Sequence, residues 1–351
     1  MQGIDLFSGV GGMSLGASQS GVSIKYAVEI DKYAAETFDL NHQGVKLFNK
    51  DIKDVHAGDF SDLDKAEPLV IFGGPPCQGF STSNRKNRNS SNENNWLFEE
   101  YLRLIGEIKP EWIVFENVKG ILDTENGYFF KKIVHSFENY GYRTSWFVLN
   151  AADYGIPQVR NRLFIIGSLA GVTITPPSKE GFHPVTVKEA LNDLPILQNG
   201  NASSTHSYNG GAKSEYAKKL RGQLSECTGH LVTKNSPLIV ERYKHIPQGG
   251  NWESIPEELM TNYANKSRCH TGIYKRLDPL KPSVVIGNFR KNMLIHPYEN
   301  RGLSVREAAR LQSFPDSFEF KGSIGFQQQQ VGNAVPPQLA EILFKSIMEL
   351  N

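Results

Sequence analysis

Short apolar runs rich in β-formers recur along the first half of the chain, each closed by glycine, proline or an acid. Residues 3–7, 23–29, 46–48, 70–72, 111–118, 142–150 and 162–166 read as strands on this pattern. Between them, residues 13–19, a stretch capped by Asp31, a stretch from Trp96 to Ile105, and residues 129–140 carry helical spacing. Strand–helix alternation of this kind predicts an α/β fold with a largely parallel sheet.

From about Leu169 the alternation is lost. Residues 199–235 are rich in Asn, Ser, Gly and Lys, with only short apolar runs. Regular pattern returns at Ser304, where Ser304 and Glu307 have capping-box spacing. The closing segment 338–350 places Leu339, Ile342, Leu343, Ile347 and Leu350 on one helical face. We expect one discontinuous domain from residues 1–169 plus 299–351. Residues 170–298 are expected to form a second, smaller, irregular and partly β domain.

With 351 residues, 39% hydrophobic and 21% charged, the chain can bury a substantial core. No apolar run is long enough to span a membrane. A strand-like run by residue 4 leaves no room for a signal peptide, so a cytoplasmic location is expected. Cys77, Cys227 and Cys269 are too few and too scattered for a disulfide framework, and no metal site is expected. A net charge of +1 argues against a uniformly basic nucleic-acid binder but leaves room for a local basic face.

The turn Ser8-Gly9-Val10-Gly11-Gly12 joins the first strand to the first helix. Such a turn lets a ligand approach the backbone closely. Ser14 stands where a dinucleotide fingerprint has its third glycine, which disfavours a pyrophosphate ligand. Glu29 lies at the end of the second strand, where an acid can accept both ribose hydroxyls. The plain alternative is a solvated strand-end charge. Asp51 ends the third strand and can accept from an adenine amine.

The stretch 70–81, VIFGGPPCQGFS, places Cys77 past the carboxyl end of a buried strand, behind two prolines. A thiolate nucleophile is the functional reading, and a small buried apolar Cys is the alternative. The run after it, 82–92, carries Arg85, Lys86 and Arg88 with no acid, and reads as a lid over a phosphate backbone or as an ordinary surface loop. Glu116, at the end of the strand EWIVFENV, reaches the same sheet edge. Arg160 and Arg162 alternate, so both would face one side of a strand.

GGPPCQGFS, DLFSGVGG, ENV, QVRNR and GNAVPP, in this set, resemble the conserved blocks of the cytosine carbon-5 methyltransferases, enzymes that use S-adenosylmethionine. The chain departs slightly in reading KDI where the family commonly has GDI. The resemblance implies a Rossmann-like S-adenosylmethionine-dependent methyltransferase sheet with a target-recognition domain over 170–298. It implies a catalytic set of Cys77, Glu116, Arg160 and Arg162. The implied cofactor contacts are Phe7, Ser8, Gly9, Gly11, Gly12, Glu29, Ile30, Asp51, Ile52, Gly74, Pro76, Leu97, Asn333 and Ala334. The implied partner is duplex DNA, with Ser81, Arg85, Lys86, Arg88 and Gln158 as contacts. In the recognition segment, which shows no family-wide motif, Arg242, Lys244, Gln248, Asn251, Arg268, His270, Arg276, Arg290 and Lys291 are unranked candidates, with ordinary surface groups as the alternative. A monomer is expected, and a restriction endonuclease acting on the same site without a stable complex is compatible. Two rival readings are a transfer-RNA cytosine methyltransferase and a catalytically silent DNA-binding regulator.

Overall fold

The computed structural model describes residues 1–76, 96–261, 272–287, 289–291 and 293–351. The chain divides into two compact units. One comprises Met1–Ala151, Asn161–Glu180 and Val335–Asn351. The other comprises Ala152–Arg160 and Gly181–Ala334.

The first unit is built on a seven-stranded sheet. Its strands are β1 (Gln2–Leu6), β2 (Ser23–Val28), β3 (Lys46–Phe48), β4 (Leu69–Gly73), β5 (Trp112–Val118), β6 (Arg143–Asn150) and β7 (Asn161–Ser168). They lie in the order β3-β2-β1-β4-β5-β7-β6. The strands from β3 to β5 pair in parallel, and β7 runs antiparallel to both β5 and β6. Ile4, Leu6, Ile71, Ile113 and Phe115 supply one side of the core. Helices α1 (Gly12–Gln19), α2 (Lys32–Asn41), α3 (Leu97–Ile108) and α4 (Tyr128–Asn139) connect the strands. Tyr101 of α3 is fully buried, with its hydroxyl 3.0 Å from the Ile71 carbonyl and 3.1 Å from that of Val114. That contact ties the helix to the two central strands.

β1 and β4 are neighbours, yet the chain leaves β1 toward β2 and leaves β4 toward β5. Their carboxyl ends therefore frame a topological switch point, the crevice where open α/β sheets bind ligands. The glycine turn follows β1 and Gly74–Pro76 follow β4, so both candidate segments meet that crevice.

The second unit contains α5 (Val187–Leu191), α6 (Glu215–Arg221), α7 (Pro237–Lys244), α8 (Val305–Leu311) and α9 (Ile324–Asn333). Helix α10 (Pro337–Met348) belongs to the first unit and packs on α1. Among the described residues, the expected β character amounts to a two-residue ladder of β8 (His206–Ser207) and β9 (Glu226–Cys227) and isolated bridges that pair Gln158 with Ser283, Arg276 with Ile295, and Ile295 with Gly302. Much of this unit lacks ladders to satisfy its carbonyls, and buried arginines do that work instead. Arg306 donates to Thr228, Pro315 and Phe318 carbonyls. Arg310 is clamped by Asp193 and Asp316, each at 2.6 Å. The expected capping box is present: Ser304 accepts from the Glu307 N–H, and Glu307 accepts from that of Ser304. Burial would raise the Glu307 carboxyl, but the Arg301 guanidinium on both its oxygens holds it at about 2.

Candidate active site

The cofactor side of the crevice starts with the turn after β1. Gly11 has φ 84°, and a Cβ there would lie 2.1 Å from Nε2 of His42. Only glycine fits, because the His42 ring packs directly beneath the turn. Burial lowers the His42 pKa to about 4, so the floor of the turn is neutral at physiological pH. Ser14 Oγ donates to Asp5 Oδ2 at 2.6 Å, pinning α1 to β1. Ser14 thus has a structural use where a dinucleotide fingerprint would carry glycine. Neither His42 nor Asp5 was singled out from the sequence; an acid inside a five-residue buried strand was the available signal for Asp5.

Glu29 sits at the mouth of the turn. Its Oε2 accepts from the Gly9 N–H at 2.8 Å and its Oε1 from the Asp31 N–H at 2.7 Å. Burial nevertheless raises its pKa above the ordinary carboxylate value. Ile30 beside it is an exposed apolar side chain, 65% accessible. Phe7 takes a left-handed backbone (φ 60°) and packs against the core cluster. Asp51 caps the turn Ile52–Asp54 by accepting from the Lys53 N–H, and Ile52 is buried. Leu97 opens α3, partly buried against the same core. Asn333 and Ala334 lie in the second unit, at the end of α9.

The chemical side of the crevice lies at the ends of β4 and β5. Gly73 is level with Phe115, which brings Gly74 level with Glu116. The approach is close: a Cβ at residue 74 would lie 2.6 Å from Glu116 Oε2. The carboxylate is nearly buried, with Oε1 held 2.8 Å from Arg162 Nε. Arg162 reaches it from β7, whose antiparallel register sets Arg162 level with Val118. Asn117 Nδ2 donates to the Pro75 carbonyl at 3.2 Å, fixing the chain leading to residue 77. The site therefore holds a shielded carboxylate, a guanidinium fixing it, and a rigid proline-bearing strand end. Cys77, Ser81, Arg85, Lys86 and Arg88, with the basic run around them, lie outside the described residues.

Several expected contacts are corrected by burial. Arg160 precedes β7 and is completely buried in the second unit. Its guanidinium donates to the carbonyls of Ile286, Gly332 and Ala334, so it braces backbone and does not share a strand face with Arg162. Gln158 is also fully buried, and its amide bonds to Leu311, Gln312 and Ile286. Arg242 donates to the Leu259 carbonyl and to the Tyr274 hydroxyl. Arg276 donates to carbonyls of Tyr243, Ile246, His296 and Glu299 and to Asn300. The side chains of Gln158, Arg242 and Arg276 are thus buried and hydrogen-bonded within the second unit. Gln248 is exposed, with its amide 3.3 Å from the Pro297 carbonyl, and Arg290 and Lys291 are exposed as well. Arg268 and His270 lie outside the described residues.

Among the described residues there is no cluster of metal-ligating side chains, and no helix is long and apolar enough to cross a membrane.

This constellation, at the switch point of a mostly parallel sheet, has close relatives among known proteins. The chain belongs to the C-5 cytosine-specific DNA methylase family, whose model matches residues 1–349. It is 34% identical to the Type II methyltransferase M.DdeI of Desulfomicrobium norvegicum, over 98% of this chain and 88% of that one. It is 33% identical to the Type II methyltransferase M.XorII of Xanthomonas oryzae pv. oryzae, over 99% of this chain and 84% of that one. A solved structure described as a prophage-encoded DNA modification methyltransferase of E. coli superposes with a TM-score of 0.80 at 30% identity, covering 100% and 99% of the two chains. The S. pombe Dnmt2 methyltransferase shares the fold, with a TM-score of 0.62 at 16% identity over 100% and 98%. The chain is therefore an enzyme of the DNA cytosine-5 methyltransferase class, and membership implies S-adenosylmethionine-dependent methylation of cytosine in DNA.

Proposed function

We propose that this chain methylates carbon 5 of a flipped-out cytosine in a specific duplex DNA sequence, through a covalent bond from Cys77. The observation that carries the reading is the Glu116 carboxylate, fixed by Arg162 and pressed against Gly74, three residues before Cys77.

The residues around the glycine turn fit S-adenosylmethionine. Ser8 Oγ and Asp5 Oδ1 are buried without a protein partner, so polar capacity is left at the turn. Glu29 offers acceptors for ribose hydroxyls, and Ile30 and Phe7 offer apolar surface for adenine. Asp51, Ile52, Gly74, Pro76, Leu97, Asn333 and Ala334 are proposed as further contacts. When bound, the cofactor supplies an electrophilic methyl group.

Cytosine carbon 5 is a poor nucleophile. Cys77 thiolate forms a bond to carbon 6, and the ring electrons move toward carbon 5 and nitrogen 3. An unperturbed thiol near pKa 8.5 is about a few per cent thiolate at neutral pH. Glu116, carrying a proton at that stage, donates it to nitrogen 3 as charge builds there and takes it back as the sulfur leaves, an effect on the order of 10²–10⁴-fold. Arg162 holds that carboxylate in place and lies beside the base. Once carbon 5 carries the methyl group, its proton leaves to water, the sulfur–carbon bond breaks, and Cys77 departs as thiolate. The target atoms are shielded in a stacked duplex, so the base must leave the stack at a cost of a few kcal/mol. The run containing Ser81, Arg85, Lys86 and Arg88, and the 170–298 segment acting as target-recognition domain, are proposed to offset that cost. The working form is a cytoplasmic monomer.

The test is transfer of labelled methyl groups from S-adenosylmethionine to duplex DNA and, in parallel, to transfer RNA. Label in DNA as 5-methylcytosine at a recurring sequence supports the reading. Label confined to RNA, or none in either, overturns it.

A further inference from the structure

The segment after β3 carries Asp51 and Ile52, both proposed above as cofactor contacts. It forms one short helical turn, Ile52–Asp54. Two backbone bonds close it, from the Asp54 N–H to the Asp51 carbonyl and from the Val55 N–H to that of Ile52. So short an element does not fix its own orientation, and its last carbonyls need outside donors. Two cations supply them. Arg103 of α3 donates through Nη2 to the carbonyls of Ile52 at 3.2 Å and Val55 at 2.8 Å. Lys50 donates through Nζ to the Asp54 carbonyl at 2.9 Å and to Asp59 Oδ2 at 3.1 Å. The Lys50 ammonium also lies over the Phe48 ring, 5.1 Å from its centroid. Asp59 accepts in addition from the His56 N–H, at the start of the next turn, Ala57–Phe60. One side chain thus joins the end of β3 to both turns that follow it. Asp51 spends Oδ1 on the Lys53 N–H at 3.0 Å, leaving Oδ2 without a hydrogen bond among the described residues. Lys50 is also where the sequence departs from the glycine common in the family, and glycine could make none of these side-chain contacts.

We propose that Lys50 is a positioning residue of the cofactor site: by fastening the turn 52–55 it holds the Asp51 carboxylate where that group accepts from the adenine amine. The claim rests on the S-adenosylmethionine reading above and adds to it the group that fixes the adenine end. Without the Lys50 ammonium the Arg103 contacts remain, so the turn keeps its place but gains freedom. A ligand that bonds to Asp51 must then order the turn as it binds. That cost falls on ligands that use the Asp51 bond and spares those that do not.

The experiment measures, by calorimetry on the full-length protein, dissociation constants for S-adenosylhomocysteine and for S-inosylhomocysteine, in which a carbonyl oxygen replaces the adenine amine. Lys50→Met keeps the aliphatic stem over Phe48 and removes the charged donor. It should weaken binding of S-adenosylhomocysteine about 3- to 10-fold and of S-inosylhomocysteine by less than about twofold. Lys50→Arg, which can still donate to both acceptors, should recover most of the affinity. Melting temperatures report that the variants remain folded. An affinity of Lys50→Met for S-adenosylhomocysteine within about twofold of wild type, or a loss equal on both ligands, overturns the positioning role alone. Wild type that binds both ligands alike overturns the Asp51 contact and this proposal with it. Wild type that binds neither overturns the wider cofactor reading as well.

Discussion

Gly74 is where the smallest change should do the most to the chemistry. In Gly74→Ala the new methyl would lie 2.6 Å from Glu116 Oε2, where ordinary contact begins at 3.4 Å, so the carboxylate must retreat by about 0.8 Å. Arg162 holds the other oxygen at 2.8 Å, so the retreat strains that ion pair or rotates the carboxylate away from its working position. A misplacement of about 1 Å can cost on the order of 10²-fold in rate. We expect the turnover number to fall about 30- to 100-fold. Stability should move by less than about 1 kcal/mol, because the obstacle is a side-chain tip and Gly→Ala also restricts the unfolded chain. The assay is labelled methyl transfer to duplex DNA at saturating substrates, with the cofactor dissociation constant measured by calorimetry. Turnover within threefold of wild type would refute the idea that the carboxylate must be held where it is. A cofactor affinity that falls as much as turnover would mean that the loss comes through the proposed cofactor contact of Gly74 and not through the carboxylate.

Three further outcomes are expected. Glu29→Gln removes a charged acceptor of the Gly9 and Asp31 N–H groups and of the proposed ribose contact; bonds to charged groups contribute roughly 1.5–3 kcal/mol. Calorimetry should show cofactor affinity falling about 10- to 100-fold, and a change under threefold would contradict the assignment. Burial pushes the Asp5 carboxyl from 3.8 to about 8, so the folded chain keeps a proton that the unfolded chain releases. The resulting stability is full below about pH 4 and drains as pH rises toward 8, at up to about 1.4 kcal/mol per unit. Asp5→Asn should therefore flatten urea-midpoint stability between pH 5 and 7.5, and parallel curves for the two proteins would refute it. In Gly16→Ala the added Cβ would meet the Pro337 carbonyl at 2.3 Å and the Glu341 nitrogen at 2.5 Å. Backbone cannot step aside cheaply, so unfolding free energy in urea should drop by about 1–3 kcal/mol, and an unchanged value would mean that α1 and α10 do not pack this closely.

The middle of the sheet was legible because β4, β5 and most of β7 are buried on both faces and read as near-continuous apolar runs, while β2, β3 and β6 expose part of their length. Residues 3–7, 46–48 and 111–118 fall within a residue or so of the observed β1, β3 and β5. Caps were legible for a related reason: Asp31 and Ser304 act through a side chain at a fixed offset from the N–H it satisfies. The second unit was not legible. Its order comes from buried arginines bonding distant carbonyls, which leaves no periodicity to read. Arg242 and Arg276 therefore looked like groups offered to DNA and Arg160 like a member of the catalytic set, while the partners the structure shows lie up to 174 positions away in sequence. The run Gln327–Gln330 is polar in sequence, yet Gln327, Gln328 and Gln330 are buried on α9. The Thr186–Glu189 capping box of α5 was visible as a spacing but lay in a stretch read as irregular. At the site, Glu116 was placed at the right edge by its strand. Its ion pair with Arg162 needed the antiparallel register of β7, which no local pattern encodes.

The account turns on a transient bond between the Cys77 sulfur and a pyrimidine ring. Duplex DNA carrying 5-fluorocytosine at the methylated position tests it directly, because fluorine cannot leave as a proton and the bond should persist. Incubation with S-adenosylmethionine should give a protein–DNA adduct that survives denaturing electrophoresis, absent with Cys77→Ala. No adduct with wild type, or an undiminished one with Cys77→Ala, would contradict the account.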